Sequence, residues 1–140
     1  MRFDPRRSKW IGLVSILSFL MLGSLSSAQA ANYSASVILP TVHSKGYLYK
    51  AVVPVMARPA AGAVISDVSW TWNVVGWPNY LQVSLCIEVG HCLDVSRLRS
   101  GSTRFFAGRP ARQPLYFTIR MSPSGLVPVA GQQAQLTVNW

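Results

Sequence analysis

Acidic side chains are scarce in this chain: four Asp and Glu stand against thirteen Lys and Arg in 140 residues. Histidine occurs only as His43 and His91, and cysteine only as Cys86 and Cys92. Each shortage excludes a chemistry. A carboxylate pair for glycoside cleavage would have to come from Asp67, Glu88 and Asp94, which all fall at outward positions of expected strands and serve solubility there. A structural zinc site takes about four ligands, and two cysteines that pair with each other leave too few. A copper site from His43, Met56, His91 and Met121 lacks any clustered spacing. A Ser-His-Asp arrangement built on His91 and Asp94 has no G-x-S-x-G elbow beside it, and His91 is expected in a solvated hairpin turn. The residues therefore read as non-enzymatic, with no catalytic group, cofactor, metal or small-molecule substrate to assign.

The first thirty residues look like an address. Arg2, Arg6, Arg7 and Lys9 form a positive start, Ile11 to Leu22 is apolar but for Gly12, Ser15 and Ser18, and Ala28-Gln29-Ala30 gives the small-x-small cleavage pattern. The apolar run is short for a bilayer span of about 20 residues. Ser8-Lys9 follows the arginine pair where a twin-arginine signal turns apolar, so the general secretory route is expected, with cleavage after Ala30. Residues 1–30 are thus a signal peptide and residues 31–140 one domain, with no transmembrane anchor left after cleavage.

Within residues 31–140, nine Lys and Arg remain against three acids, a net charge of +6. Such a surface keeps a small domain soluble and admits anionic partners. No stacking or groove-reading motif accompanies it, so nucleic acid is not expected. Two nearby cysteines in an exported chain imply a disulfide and an oxidising compartment, for which the bacterial periplasm fits best.

Helical periodicity is missing after the signal, and the pattern present is period two. Val64, Ser66, Val68, Trp70, Trp72 and Val74 share one face, apolar and aromatic; Ile65, Asp67, Ser69, Thr71, Asn73 and Val75 share the other, mostly polar. Gly76-Trp77-Pro78-Asn79 then makes a turn. Leu81, Val83, Leu85 and Ile87 form the next inward set, and Leu93 and Val95 follow Gly90. Cys86 and Cys92 fall on the outward face of this hairpin, where facing residues lie about 4.5–5.5 Å apart and a cross-strand bond fits. Leu115, Phe117, Ile119 and Met121 mark a further strand, and Leu136, Val138 and Trp140 a last one. Ser34 to Leu39 and Tyr47 to Val53 read as weaker strands. Short strands between Gly and Pro turns predict an all-β fold: a single antiparallel β-sandwich, immunoglobulin-like in general architecture, with one cross-strand disulfide. A small barrel is the alternative.

Two features suit binding. Arg97, Arg99, Arg104, Arg109 and Arg112 lie in a stretch without an acid, and Trp77, beside Pro78 in a turn, suits an exposed anchor. A final strand at a sheet edge would also recruit a partner strand. A homodimer is among the assembly states allowed.

The order of features resembles the flagellar protein FlhE family. The residues that carry it are Trp70-Thr71-Trp72, a proline turn into Leu81-x-Val83-x-Leu85-Cys86, and a short hairpin to Cys92-Leu93. Gly101-x-Thr103 before Phe105, Pro114-Leu115-x-Phe117, Gly125-Leu126-x-Pro128 and a closing Val138-Asn139-aromatic complete it. The resemblance covers Val64 to Trp140, while residues 31–62 match poorly. It implies a periplasmic, non-enzymatic accessory of flagellar assembly and export. Such a protein acts in a chaperone-like way, limits proton leak through the export apparatus and keeps filament from forming in the periplasm. Its implied partners are proteins of the flagellar rod or export apparatus. A structural or adhesive subunit like a minor pilin, with Ala31 to Leu39 as a donor arm, is the rival reading. A periplasmic inhibitor or envelope-binding module is a further one.

Overall fold

The computed structural model describes residues 31–140, which contain eight strands and no helix. The signal-peptide reading lies outside the described residues. The strands are β1 (Asn32–Ile38), β2 (Tyr49–Val52), β3 (Asp67–Thr71), β4 (Leu81–Glu88), β5 (His91–Asp94), β6 (Ser100–Thr103), β7 (Tyr116–Met121) and β8 (Gln133–Asn139). They form two four-stranded antiparallel sheets, ordered β1-β8-β3-β6 and β2-β7-β4-β5. Only the β4–β5 connection stays within one sheet; the other six connections cross between sheets. The expected sandwich is the architecture found.

Period-two alternation delivers the core. Val68, Trp70, Trp72 and Val74 from the first sheet meet Val83, Leu85, Phe117, Ile119 and Met121 from the second, all buried. Two indoles in the core need partners for their N–H groups. Trp70 Nε1 donates to the Leu98 carbonyl at 3.0 Å, and Trp72 Nε1 is shared between the Val95 and Leu98 carbonyls at 3.0 Å each. Gly101 accommodates this packing, because a Cβ there would lie 2.8 Å from the Trp70 ring.

Some of the expected faces and edges shift. Val64 is 51% exposed while Ile65 is buried at 1%. Ahead of β3 the chain bonds irregularly, through Ile65 N to Arg109 O and Ser66 N to Asn139 O, so strict alternation starts only at Val68. Cys86 is buried rather than outward, because the β4–β5 ladder slips between Cys86 and Glu88 and Tyr116 flanks the cysteine on its other side. The last strand is interior, between β1 and β3, so it is not an edge open to a partner. The segment considered as a donor arm is instead bonded as β1 to β8 of its own sheet.

Cys86 and Cys92 face each other in register and form the disulfide, with Cα atoms 4.1 Å apart. The bond staples the one hairpin, and Gly90 turns that hairpin at φ 82°. It closes a loop with a sequence separation of six, so its removal costs about 2 kcal/mol. We expect C86A/C92A to keep its β-sheet circular dichroism and unfold in urea with that loss. Complete unfolding at room temperature would show the sandwich to depend on the bond.

Candidate functional site

The connections β3–β4, β7–β8 and β1–β2 meet around one groove of about 670 Å³. Its walls are largely apolar: Val75, Trp77, Pro78, Tyr80, Leu126 and Val129. Trp77 and Leu126 are each 82% exposed and Tyr80 62%. Large apolar side chains exposed side by side are of the kind that suits a contact surface.

The groove is held from beneath. Asn73 Oδ1 accepts from Val74 N at 3.1 Å, the Asn73 carbonyl accepts from Gln132 N at 3.0 Å, and Val75 N donates to Ala130 O at 3.0 Å. Gly76 turns the loop at φ 74°. At Gly131 a Cβ would collide with the Leu39 carbonyl, so the β1 and β8 connections can approach closely only around a glycine. Tyr80 sits at φ 64°, a left-handed conformation costly for a bulky residue. Its carbonyl accepts from Ser122 N at 3.2 Å.

Arg99 is the keystone of this loop. Its Nη1 donates to Asn73 Oδ1 at 2.5 Å and its Nη2 to the Gly76 carbonyl at 2.6 Å. The guanidinium lies 3.8 Å from the Trp77 ring centroid and 5.0 Å from that of Trp72. Burial between these groups lowers its pKa below the usual guanidinium range, against the charged form. A planar fork that stacks and donates at once is a task lysine cannot perform.

The other nominated residues divide. Arg97 lines a polar depression on the far side of Pro78, Asn79 and Tyr80, so Trp77, Arg99 and Arg97 gather about one loop. Arg109 instead pairs with Glu88 at 3.2 Å and reaches His91 Nδ1 at 3.4 Å. Arg112 donates to the Pro59 carbonyl at 2.6 Å, and Arg104 sits in the exposed turn that follows β6. The arginines do not line a common groove. In the sequence Tyr80 stands out only as one of many aromatics, and Leu126 only as part of the Gly125-Leu126-x-Pro128 signature.

His91 is not a solvated turn residue. It opens β5, stacks on Phe105 with centroids 4.6 Å apart, and keeps Nε2 buried. Its ring bond runs to Arg109 and Asp94 accepts from Ser96 N, so the two groups imagined in a triad bond elsewhere. Among the described residues no cluster of three or more His, Cys, Asp or Glu is placed to hold a metal.

The Ser96 hydroxyl and N–H, then Arg97, hold the Asp94 carboxyl below its ordinary 3.8. The N–H, at 2.9 Å, is the firmer donor, since the hydroxyl also lies 3.2 Å from Val83 O. The contribution to folding is complete above the unfolded value of 3.8 and fades as pH falls through the lower folded value. Being largely exposed, it is small. In urea unfolding from about pH 6 to about pH 2, D94N is expected to lose less stability than the parent; equal losses would refute the linkage. For the groove, R99A and R99K should both speed amide exchange of residues 74–80 about tenfold while β4 stays protected. An unchanged loop would show that Arg99 does not hold it.

A disulfide-stapled, all-β sandwich with a braced aromatic groove at one end is the class of protein these features define. The chain belongs to the flagellar protein FlhE family, whose model matches residues 40–140. The match thus starts earlier than the Val64 expected from the sequence signature, and it takes in β2. A solved crystal structure of FlhE is similar with a TM-score of 0.68 at 26% identity, covering 79% of this chain and 96% of that chain. No curated protein sequence matches.

Proposed function

We propose that this chain is a non-enzymatic periplasmic accessory of flagellar assembly and export. In this reading it limits proton leak through the export apparatus and prevents filament formation in the periplasm, in a chaperone-like way. Residues 1–30 direct it through the general secretory route and are removed after Ala30, leaving residues 31–140 as the working domain. The groove beside Trp77 meets a protein of the flagellar rod or export apparatus, with Arg97 and Arg99 in separate depressions on the other sides of the same loop; Arg104, Arg109 and Arg112 remain further contact candidates.

The observation that carries the reading is membership of the flagellar family over a segment that includes the whole groove. A pre-braced, exposed tryptophan suits protein recognition, since little side-chain freedom remains to be lost on docking. A chaperone-like role needs such a surface and no chemistry.

The test is a clean deletion in the source organism, scored for motility, periplasmic filaments and proton leak, and complemented with the parent chain or with W77A/L126A. Filaments or leak should appear, be rescued by the parent, and persist with the variant. Loss of a central aromatic anchor costs about 2 kcal/mol, or roughly thirtyfold in affinity. Normal flagella and unchanged proton flux in the deletion strain would overturn the reading.

A further inference from the structure

β1 is an edge strand whose outer side is open. Its bonds to β8 run from Trp140 N to Ala31 O at one end and from Leu39 N to Gln132 O at the other, with unbroken register between. In an antiparallel ladder the bonded residues alternate. Tyr33, Ala35 and Val37 therefore bond β8, and Asn32, Ser34, Ser36 and Ile38 turn their N–H and C=O groups away from it. No strand among the described residues pairs with that side. Their side chains are also exposed.

Open edges are normally blunted by shortness, charge, proline or a bulge. The other three edges of this sandwich follow that rule. β2, β5 and β6 have four residues each. Lys50 lies on β2, Asp94 and the disulfide on β5, and Arg99 and Arg104 flank β6. β1 has seven residues and neither charge nor proline.

We infer that two copies of this chain pair β1 to β1, antiparallel about a two-fold axis at Ala35, and so join their first sheets into one eight-stranded sheet. The occupant is set by register and charge. Centred on Ala35, Asn32 faces Ile38 of the other copy and Ser34 faces Ser36. All four open residues then bond one another, with none left over. An isologous contact of this kind closes at two subunits. The domain carries +6, which opposes self-association across most surfaces. The outward row of β1 is uncharged, and so is its neighbour on β8: Gln133, Gln135, Thr137 and Asn139. This strip is where two copies approach without like charges meeting. The inference is independent of the flagellar reading and concerns a strand that lies before the family match.

Sedimentation of the purified chain tests it, with a dimer expected at about 100 micromolar, as suits a small interface. S34K/S36K sets lysine opposite lysine across the axis and should give monomer. S34K/S36E sets lysine opposite glutamate in the same register and should restore the dimer. A parent chain that stays monomeric, as when the edge serves a different protein's strand, overturns the inference. So does a dimer indifferent to the lysines. Should the variants fail to fold, amide exchange of the parent decides: Ser34 and Ser36 must slow as concentration rises, and fast exchange at every concentration overturns the pairing.

Discussion

Three indole-to-carbonyl contacts tie the two sheets together. The turn from Val95 to Leu98 leaves β5 in one sheet and enters β6 in the other. Its carbonyls receive the Trp70 and Trp72 N–H groups, which would otherwise be stranded in the core. An unpaired buried donor costs about 1–3 kcal/mol, so the tryptophans cannot be buried unless this crossover runs where it does. Trp72 N also donates to the Arg99 carbonyl at 2.8 Å, which fixes the next residue as well. The position of Arg99, and through it the loop bearing Trp77, thus follows from the requirement to satisfy two indoles.

This linkage explains why a large aromatic side chain can stay exposed without collapsing onto the domain. Trp77 has one face on a guanidinium that is itself anchored to Asn73 and Gly76. The stack holds the ring in place while most of it remains in solvent. Core and groove are therefore two sides of one assembly: Trp72 inside, Arg99 between, Trp77 outside. The strained Tyr80 closes the same loop onto β4. Strain of this kind persists where surrounding contacts over-determine it, as the Ser122 bond to its carbonyl helps to do here.

Local physics was legible in the sequence and nonlocal geometry was not. Alternation from Val68 to Val74 and from Leu115 to Met121 predicts the inward sets correctly, because each residue's side follows from its neighbours, while Thr118 on the other face of β7 is buried as well. Parity and spacing also suffice for the Cys86–Cys92 pair, since β4 and β5 are the one hairpin in the fold. The burial of Cys86 depends on a ladder slip and on Tyr116, thirty residues away, which no alternation encodes. The exposure of Val64 likewise follows from the bonds that Ile65 N and Ser66 N donate to the Arg109 and Asn139 carbonyls. Arginines clustered along the chain were an unreliable guide to a surface, because six of the seven connections change sheets. Arg99 went to the loop that bears Trp77, Arg109 to Glu88 and His91, and Arg112 to the Pro59 carbonyl. A sequence cluster becomes a spatial one only when the intervening chain stays in one layer.

The same crossing topology places the two ends of the domain side by side. β1 has β8 as its sheet neighbour, and the Tyr33 and Trp140 rings lie 5.8 Å apart where the strands begin and end. Pairings across about a hundred residues form late, because loop closure must precede any reward from contact. β1 pairs in its sheet on one side only. Charges and a disulfide protect the edges formed by β2, β5 and β6. At β1 the chain offers Asn32, Ser34, Ser36 and Ile38, whose backbone groups demand hydrogen bonds and whose side chains do nothing to discourage a neighbour. Water satisfies such groups, but a strand satisfies them in register, and a neutral edge on a positively charged domain singles out the face where that exchange meets least resistance.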